Sequence, residues 1–359
     1  MENQEITLEN QEITPEQPHD LMPSYKKDCM RLGFFLTLTL VIREAASGLV
    51  PLLAPLITKM SVTAAFAFSL GYSALFAQII PALLAALMLK YSPRNLCGGF
   101  HAPKQSKRAF ANFPAMYGLG MTVNLITMAV MMLINSNSDI GDSINSTGIT
   151  PPDFGTSWLL FILLTVVAPV FEEFIFRGAV MELLKPYGSG LAVFVSAFCF
   201  GIYHGNFQQF FYAFALGICL GYIAIATGSL FCSTILHAMF NSVSGIMLIF
   251  LSTEAVQTKS LDPFAELSDG QELVVTFYAI FMIIVLLTAL IGFAVLIGKL
   301  RHIKKYRLPK LWGEVRNARK LTVMLRTVPV IIAALLMIDV MVPQYLTHAV
   351  ERLAEMLAG

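Results

Sequence analysis

Nine stretches of this 359-residue chain are apolar over roughly the length that crosses a bilayer as helix, about 20 residues. They lie at 32–54, 62–89, 110–134, 157–184, 190–206, 209–226, 229–251, 273–298 and 327–347. Hydrophobic residues make up 56% of the chain and charged residues 13%, against the roughly 25% charged that a soluble domain carries. The fold class expected is therefore all-α: a polytopic transmembrane helical bundle of about eight or nine spans over residues 31–350. The fifth and sixth runs are short and meet at Gly205-Asn206, so one of them is a candidate for a tilted or re-entrant segment.

Charge distribution orients the bundle. Lys26, Lys27 and Arg31 precede the first run, and Lys90, Arg94, Lys104, Lys107 and Arg108 join the second to the third. A third basic stretch, 299–326, joins the eighth to the ninth. It carries Lys299, Arg301, Lys304, Lys305, Arg307, Lys310, Arg316, Arg319 and Lys320. The 135–156 connection has Asp139 and Asp142 and no Lys or Arg, and 252–272 is acidic apart from Lys259. Cytoplasmic connections collect Lys and Arg, so the expected topology places the N-terminus in the cytoplasm and, with nine spans, the C-terminus outside. Leu308, Leu311 and Trp312 interleave with the basic residues of 299–326, which suits a cytoplasmic loop lying on anionic headgroups rather than on nucleic acid.

Residues 1–30 read as a disordered acidic tail without the apolar core of a signal peptide. Within it Glu2-Asn3-Gln4-Glu5-Ile6-Thr7 recurs as Glu9-Asn10-Gln11-Glu12-Ile13-Thr14. The five cysteines are scattered and form no C-x-x-C, so neither a disulfide framework nor a thiolate metal site is expected.

Ionisable groups inside apolar runs are costly and point to function. Three patterns stand out, each at helical i,i+4 spacing: Glu172-Glu173-x-x-x-Arg177, Phe200-x-x-x-His204 and His237-x-x-x-Asn241. Counted from the expected cytoplasmic ends at about 1.5 Å per residue, the carboxylates lie some 16–18 Å in, His204 about 21 Å and His237 about 12 Å. Those depths overlap near the middle of a core about 30 Å thick, as a shared site requires. Glu173 and Arg177 share a helix face and should pair. Glu172 points about 100° away and is left freer to act as general base for water. Pro169 removes a helix hydrogen bond just before it and should loosen that turn. Neutral His237 and Asn241 share a face and read as donors to an oxyanion, while the Phe200 ring lines the pocket beside His204. The polar residues Arg43, Glu44, Gln78, Asn124 and Asp339 read as packing or topology features.

Each pattern alone is also met as an interhelical hydrogen bond or a structural ion pair. The rival chemistry is a metal such as zinc held by Glu172, His204 and His237. No H-E-x-x-H supports it and no metal or other cofactor is favoured, while the absence of G-x-S-x-G argues against a serine nucleophile. A transporter is less well supported, for no paired broken repeats are visible.

In order and composition the three motifs resemble those of the CPBP family of intramembrane proteases. That family includes type II CAAX prenyl endopeptidases and bacteriocin-processing, Abi-like immunity proteins. The motifs read Glu172-Glu173-Phe174-Ile175-Phe176-Arg177, Phe200-Gly201-Ile202-Tyr203-His204 and His237-Ala238-Met239-Phe240-Asn241, with a family-like Thr227-Gly228-Ser229 turn before the third. The resemblance covers about 157–251, which would be the catalytic core. It implies a membrane endopeptidase acting on a membrane-bound peptide or protein, in which Glu172 activates water with help from His204, and His237 and Asn241 form the oxyanion hole. Glu173, Arg177 and Phe200 would be supporting residues. A non-catalytic immunity or scaffold protein with the same motifs is the alternative.

Overall fold

The computed structural model describes residues 21–89, 106–134, 154–205, 207–300 and 317–338. Among these residues every regular element is a helix. We number them α1 (Met22–Ile57), α2 (Val62–Met88), α3 (Ser106–Ile134), α4 (Phe154–Tyr187), α5 (Ser189–Tyr203), α6 (Phe207–Thr227), α7 (Leu230–Leu251), the short α8 (Glu254–Leu261), α9 (Asp269–Leu300), α10 (Asn317–Leu325) and α11 (Val328–Ile338). Six of them, α1, α2, α4, α6, α7 and α9, are long and apolar enough to cross a membrane. The pair α10–α11, bent by 78°, makes a seventh if it is one broken span. Leu52, Leu87 and Ile291 are 74%, 77% and 62% exposed, as side chains facing lipid would be. The chain is a multi-pass helical membrane protein.

The expected 110–134 run lies within α3, whose 29 residues suffice for a crossing. The expected fifth span does not hold. α5 has 15 residues, about 22 Å of helix, too short for a core of about 30 Å. It ends at His204, followed by Gly205 at φ +66°, a backbone conformation suited to glycine.

Two expected boundaries also shift. The tail assigned to 1–30 gives way to helix at Met22, where Pro23 starts the first turn, and Tyr25 and Cys29 are already buried. Residues 1–20, with the hexamer repeat, lie outside the described residues. The loop assigned to 299–326 is helical from Asn317, and Lys320 is only 1% exposed. Its Nζ donates to the Tyr187 carbonyl at 2.7 Å, and the Tyr25 hydroxyl donates to the Lys320 carbonyl at 2.9 Å. The Tyr187 hydroxyl donates in turn to Asp28 at 2.7 Å. These bonds tie α1, the end of α4 and α10 together, so Lys320 is a buried knot rather than a headgroup contact. The rest of the basic loop and Asp339 lie outside the described residues.

Close helix crossings use glycine. A Cβ on Gly118 of α3 would collide with the Gly292 backbone of α9, and one on Gly33 of α1 would lie 2.5 Å from the Val330 nitrogen of α11. The core around the motifs is built from Phe174, Ile175, Phe176, Val180, Leu191, Val195 and Phe200.

Candidate active site

α4 is not a uniform α-helix. Two π-turns, Leu163–Val167 and Phe174–Met181, flank the six residues Ala168–Glu173 that carry the carboxylates. The first has a cause in the sequence. In π register the Leu164 carbonyl would accept from residue 169, which is proline and has no N–H. The Asn241 side-chain amide replaces it, donating to the Leu164 carbonyl at 2.9 Å. The loosened turn expected at Pro169 is therefore present and is braced from α7. One of the two Asn241 amide hydrogens is committed to this brace, leaving one for other use.

Glu173 and Arg177 are both fully buried and pair at 2.9 Å, as their spacing predicts. The guanidinium also donates to the Gly217 carbonyl of α6 at 3.2 Å and lies 4.5 Å from the centre of the Phe200 ring. The same Glu173 oxygen stands 3.1 Å from Nδ1 of His237, and the other has no hydrogen-bond partner among the described residues. Across the His237 ring, Nε2 stands 3.6 Å from Glu172. Glu172 is 14% exposed, whereas Glu173 is fully buried and His237 is 2% exposed, so Glu172 is the more open of the two carboxylates.

Phe200 is the hub of the aromatic contacts. Its ring meets His204 and His237 edge-on at 4.9 Å and 5.5 Å. His204 caps α5 and its Nδ1 lies 2.8 Å from the Phe200 carbonyl.

These partners set the ring tautomers. A carbonyl can only accept, and so can the Glu173 carboxylate in its pair with Arg177. Nδ1 therefore carries the hydrogen in both histidines, and Nε2 of each neutral ring is a lone pair directed elsewhere. This corrects the expectation that neutral His237 donates to an oxyanion: it has no N–H left to give and donates from Nε2 only as imidazolium.

Glu172, Glu173, Arg177, Phe200, His204, His237 and Asn241 are thus gathered around one junction of α4, α5 and α7. Glu172, His204 and His237 do not converge on one point: among the described residues no three His, Cys, Asp or Glu side chains form a group that could hold a metal ion.

Arg43, read from the sequence as a packing or topology feature, has such a packing contact beside the site. It donates to the carbonyl of Tyr203, next to His204, and its guanidinium lies 5.3 Å from the Tyr203 ring centre. It thereby satisfies a carbonyl orphaned at the end of α5. The signal was present, since Arg43 is a charge inside an apolar run, but its partner lies 160 residues away. Gln78 was read in the same way. It is buried in a π-turn of α2, Leu75–Ile79, which packs against Ala168–Glu173, and its Oε1 has no hydrogen-bond partner among the described residues.

Fold and site together define a polytopic helical membrane protein with a buried carboxylate–histidine centre. Residues 154–243 match the family model described as type II CAAX prenyl endopeptidase Rce1-like. The match spans about a quarter of the chain and contains all three motifs. No curated protein and no solved structure matches the chain.

Proposed function

We propose that the protein is an intramembrane endopeptidase that hydrolyses a peptide bond in or next to a membrane-bound peptide or protein. The observation that carries this reading is the chain Glu172–His237–Glu173–Arg177. One carboxylate is locked in an ion pair, and the other is partly open and 3.6 Å from an imidazole. Such a division suits a base whose partner is oriented by a second carboxylate.

In this mechanism water sits between Glu172 and Nε2 of His204. Glu172 accepts one water proton as the oxygen attacks the peptide carbonyl, and His204 holds the other hydrogen. The oxyanion is met by the imidazolium of His237 and the remaining Asn241 N–H. Collapse of the tetrahedral intermediate returns the Glu172 proton to the leaving amine. No metal enters these steps. The N-terminus faces the cytoplasm in this reading, and the basic loops rest on anionic headgroups.

The test is cleavage by purified protein in lipid bilayers, using candidate substrates taken from membrane peptides that differ between cells with and without the protein. Glu172→Gln should abolish cleavage while leaving folding unchanged, and a strong chelator should have no effect. Chelator inhibition reversed by one metal would move Glu172, His204 and His237 to ligand roles. Unchanged cellular function of Glu172→Gln would replace the protease with a non-catalytic immunity or scaffold protein.

A further inference from the structure

The end of α5 is held from two helices that lie outside residues 154–243. Arg43 of α1 donates from its guanidinium to the Tyr203 carbonyl and lies 5.3 Å from the centre of the Tyr203 ring. The Tyr203 hydroxyl donates to the Ala77 carbonyl of α2 at 2.7 Å. In α register that carbonyl would accept from residue 81, which is proline and has no N–H. The tyrosine thus supplies a donor that the helix lacks. The same ring meets Phe176 of α4 edge-on at 5.3 Å. Tyr203 is the last residue of α5, and its carbonyl lies in the same peptide plane as the His204 nitrogen.

Arg43 brings a full charge into an apolar run, which is costly at membrane depth. A hydroxyl or a side-chain amide would satisfy one carbonyl without that cost. A guanidinium does more, because its planar fork can donate and lie on a ring at the same time. It holds both the backbone and the side chain of Tyr203. Its ion pair does not account for its place: Glu44 is 3.9 Å from Nε, with a side chain 52% exposed, and such exposed pairs contribute little. The residue it holds is the one before His204. The His204 N–H has a long bond of 3.4 Å to the Gly201 carbonyl, so the helix end holds this residue weakly by itself. The imidazole is anchored at Nδ1, 2.8 Å from the Phe200 carbonyl, and the peptide plane before it is anchored by Arg43. Together the two anchors set where Nε2 points. We propose that Arg43 and Tyr203 are positioning residues that keep Nε2 of His204 aimed at the attacking water. This rests on the endopeptidase reading and extends its machinery to α1 and α2.

The first test needs no substrate. Full-length protein with isotope-labelled histidine is placed in phosphatidylcholine nanodiscs and followed by nitrogen NMR. The His204 ring signals are identified by their loss in His204→Gln. The parent protein should show one tautomer at His204, with the hydrogen on Nδ1. Arg43→Met keeps a long stem and removes every donor. Its His204 signal should split, with the Nε2–H tautomer rising about tenfold, a ratio on the scale of one hydrogen bond, while the His237 signals stay in place. Arg43→Lys keeps one donor and the charge and should give back most of the parent spectrum. Tyr203→Phe loses only the Ala77 bond; it should move His204 the same way by less, and it decides the matter if Arg43→Met does not fold. Unfolding midpoints are measured alongside. A residue that merely packs would lower the midpoint and leave the tautomer alone, so an unchanged His204 spectrum in these variants overturns the proposal. On a membrane peptide that the parent cuts, Arg43→Met should lower kcat about a hundredfold at unchanged KM, the effect of an ångström-scale misplacement. A raised KM at unchanged kcat would overturn the proposal as well. The two readings fail separately. If the parent cuts no peptide but His204 moves, the anchoring of His204 stands without the protease. If it cuts and His204 does not move, the protease stands without this role for Arg43 and Tyr203.

Discussion

The buried pair between Glu173 and Arg177 makes a quantitative prediction. Both side chains are fully buried, and the nitrogen–oxygen distance is 2.9 Å. At an effective dielectric near 20, two unit charges at that separation attract by about 6 kcal/mol. Most of this offsets the cost of removing both charges from water, so the pair as a unit contributes little net stability. Removing one partner is different, because it strands the other. Arg177→Met should therefore destabilise the protein by about 3–5 kcal/mol. Glu173 would then be left with His237 alone, and the Gly217 carbonyl would lose its 3.2 Å donor. Adding Glu173→Gln to Arg177→Met removes the stranded charge and should recover a large part of the loss. The assay is equilibrium unfolding in mixed micelles of dodecylmaltoside and increasing sodium dodecyl sulfate, followed by tryptophan fluorescence, on both single variants and the double variant. A coupling energy below about 0.5 kcal/mol, the size seen for independent sites, would refute the reasoning. So would a double variant less stable than either single one.

Four further outcomes follow from the same contacts. Glu173→Gln should lower kcat by about a hundredfold or more, because the amide can donate to His237 and no longer enforces one tautomer; the readout is kcat with the unfolding midpoint measured alongside, since loss of folding alone would account for neither an unchanged KM nor a normal melting curve. Asn241→Ala should cost about 1–3 kcal/mol of stability by leaving the Leu164 carbonyl without its donor, and a neutral result in the unfolding assay would show that water replaces the amide. Gly118→Leu should reduce folded yield in size-exclusion chromatography, because any Cβ there meets the Gly292 backbone, whereas Gly71→Ala, with open space around its Cβ, should not. Lys320→Met should detach α10 from α1 and α4, read as faster proteolysis near residue 320 with cleavage activity still present.

What could be read from the sequence was the part that pays a high solvation cost. Glu172, Glu173, Arg177, His204 and His237 announce themselves because charge and imidazole are rare in apolar runs, and the i,i+4 spacing of Glu173 and Arg177 gave their pairing directly. The order of the motifs also led to one junction, which Phe200 completes by touching both histidines. What stayed hidden depends on long-range partners. Lys320 looked like one more basic loop residue until its neighbours, Tyr25 and Tyr187, came into contact. The second use of Asn241, as donor to the carbonyl that Pro169 leaves open, depends on a partner 77 residues away. The tautomer of His237 follows from which of its nitrogens meets Glu173, and spacing alone cannot choose between them. The 190–206 run, counted among the nine spans although short, forms a helix that stops at Tyr203, before Gly205 turns the chain.

These features share a physical cause. Regular helix satisfies its own backbone and leaves no donor or acceptor for chemistry inside a bilayer. Polar function at that depth therefore requires helices to be interrupted where neighbours can satisfy the freed groups. Here α4 carries its carboxylates between two π-turns, α5 stops at His204, and α2 has a π-turn against the carboxylate segment. Each interruption has an identifiable partner: Asn241 for the Leu164 carbonyl, Ser196 for the Phe176 carbonyl, Arg43 for the Tyr203 carbonyl, and the Tyr203 hydroxyl for the Ala77 carbonyl. Among the described residues, the Gln78 Oε1 and the second Glu173 carboxylate oxygen stay buried beside this set without a hydrogen-bond partner.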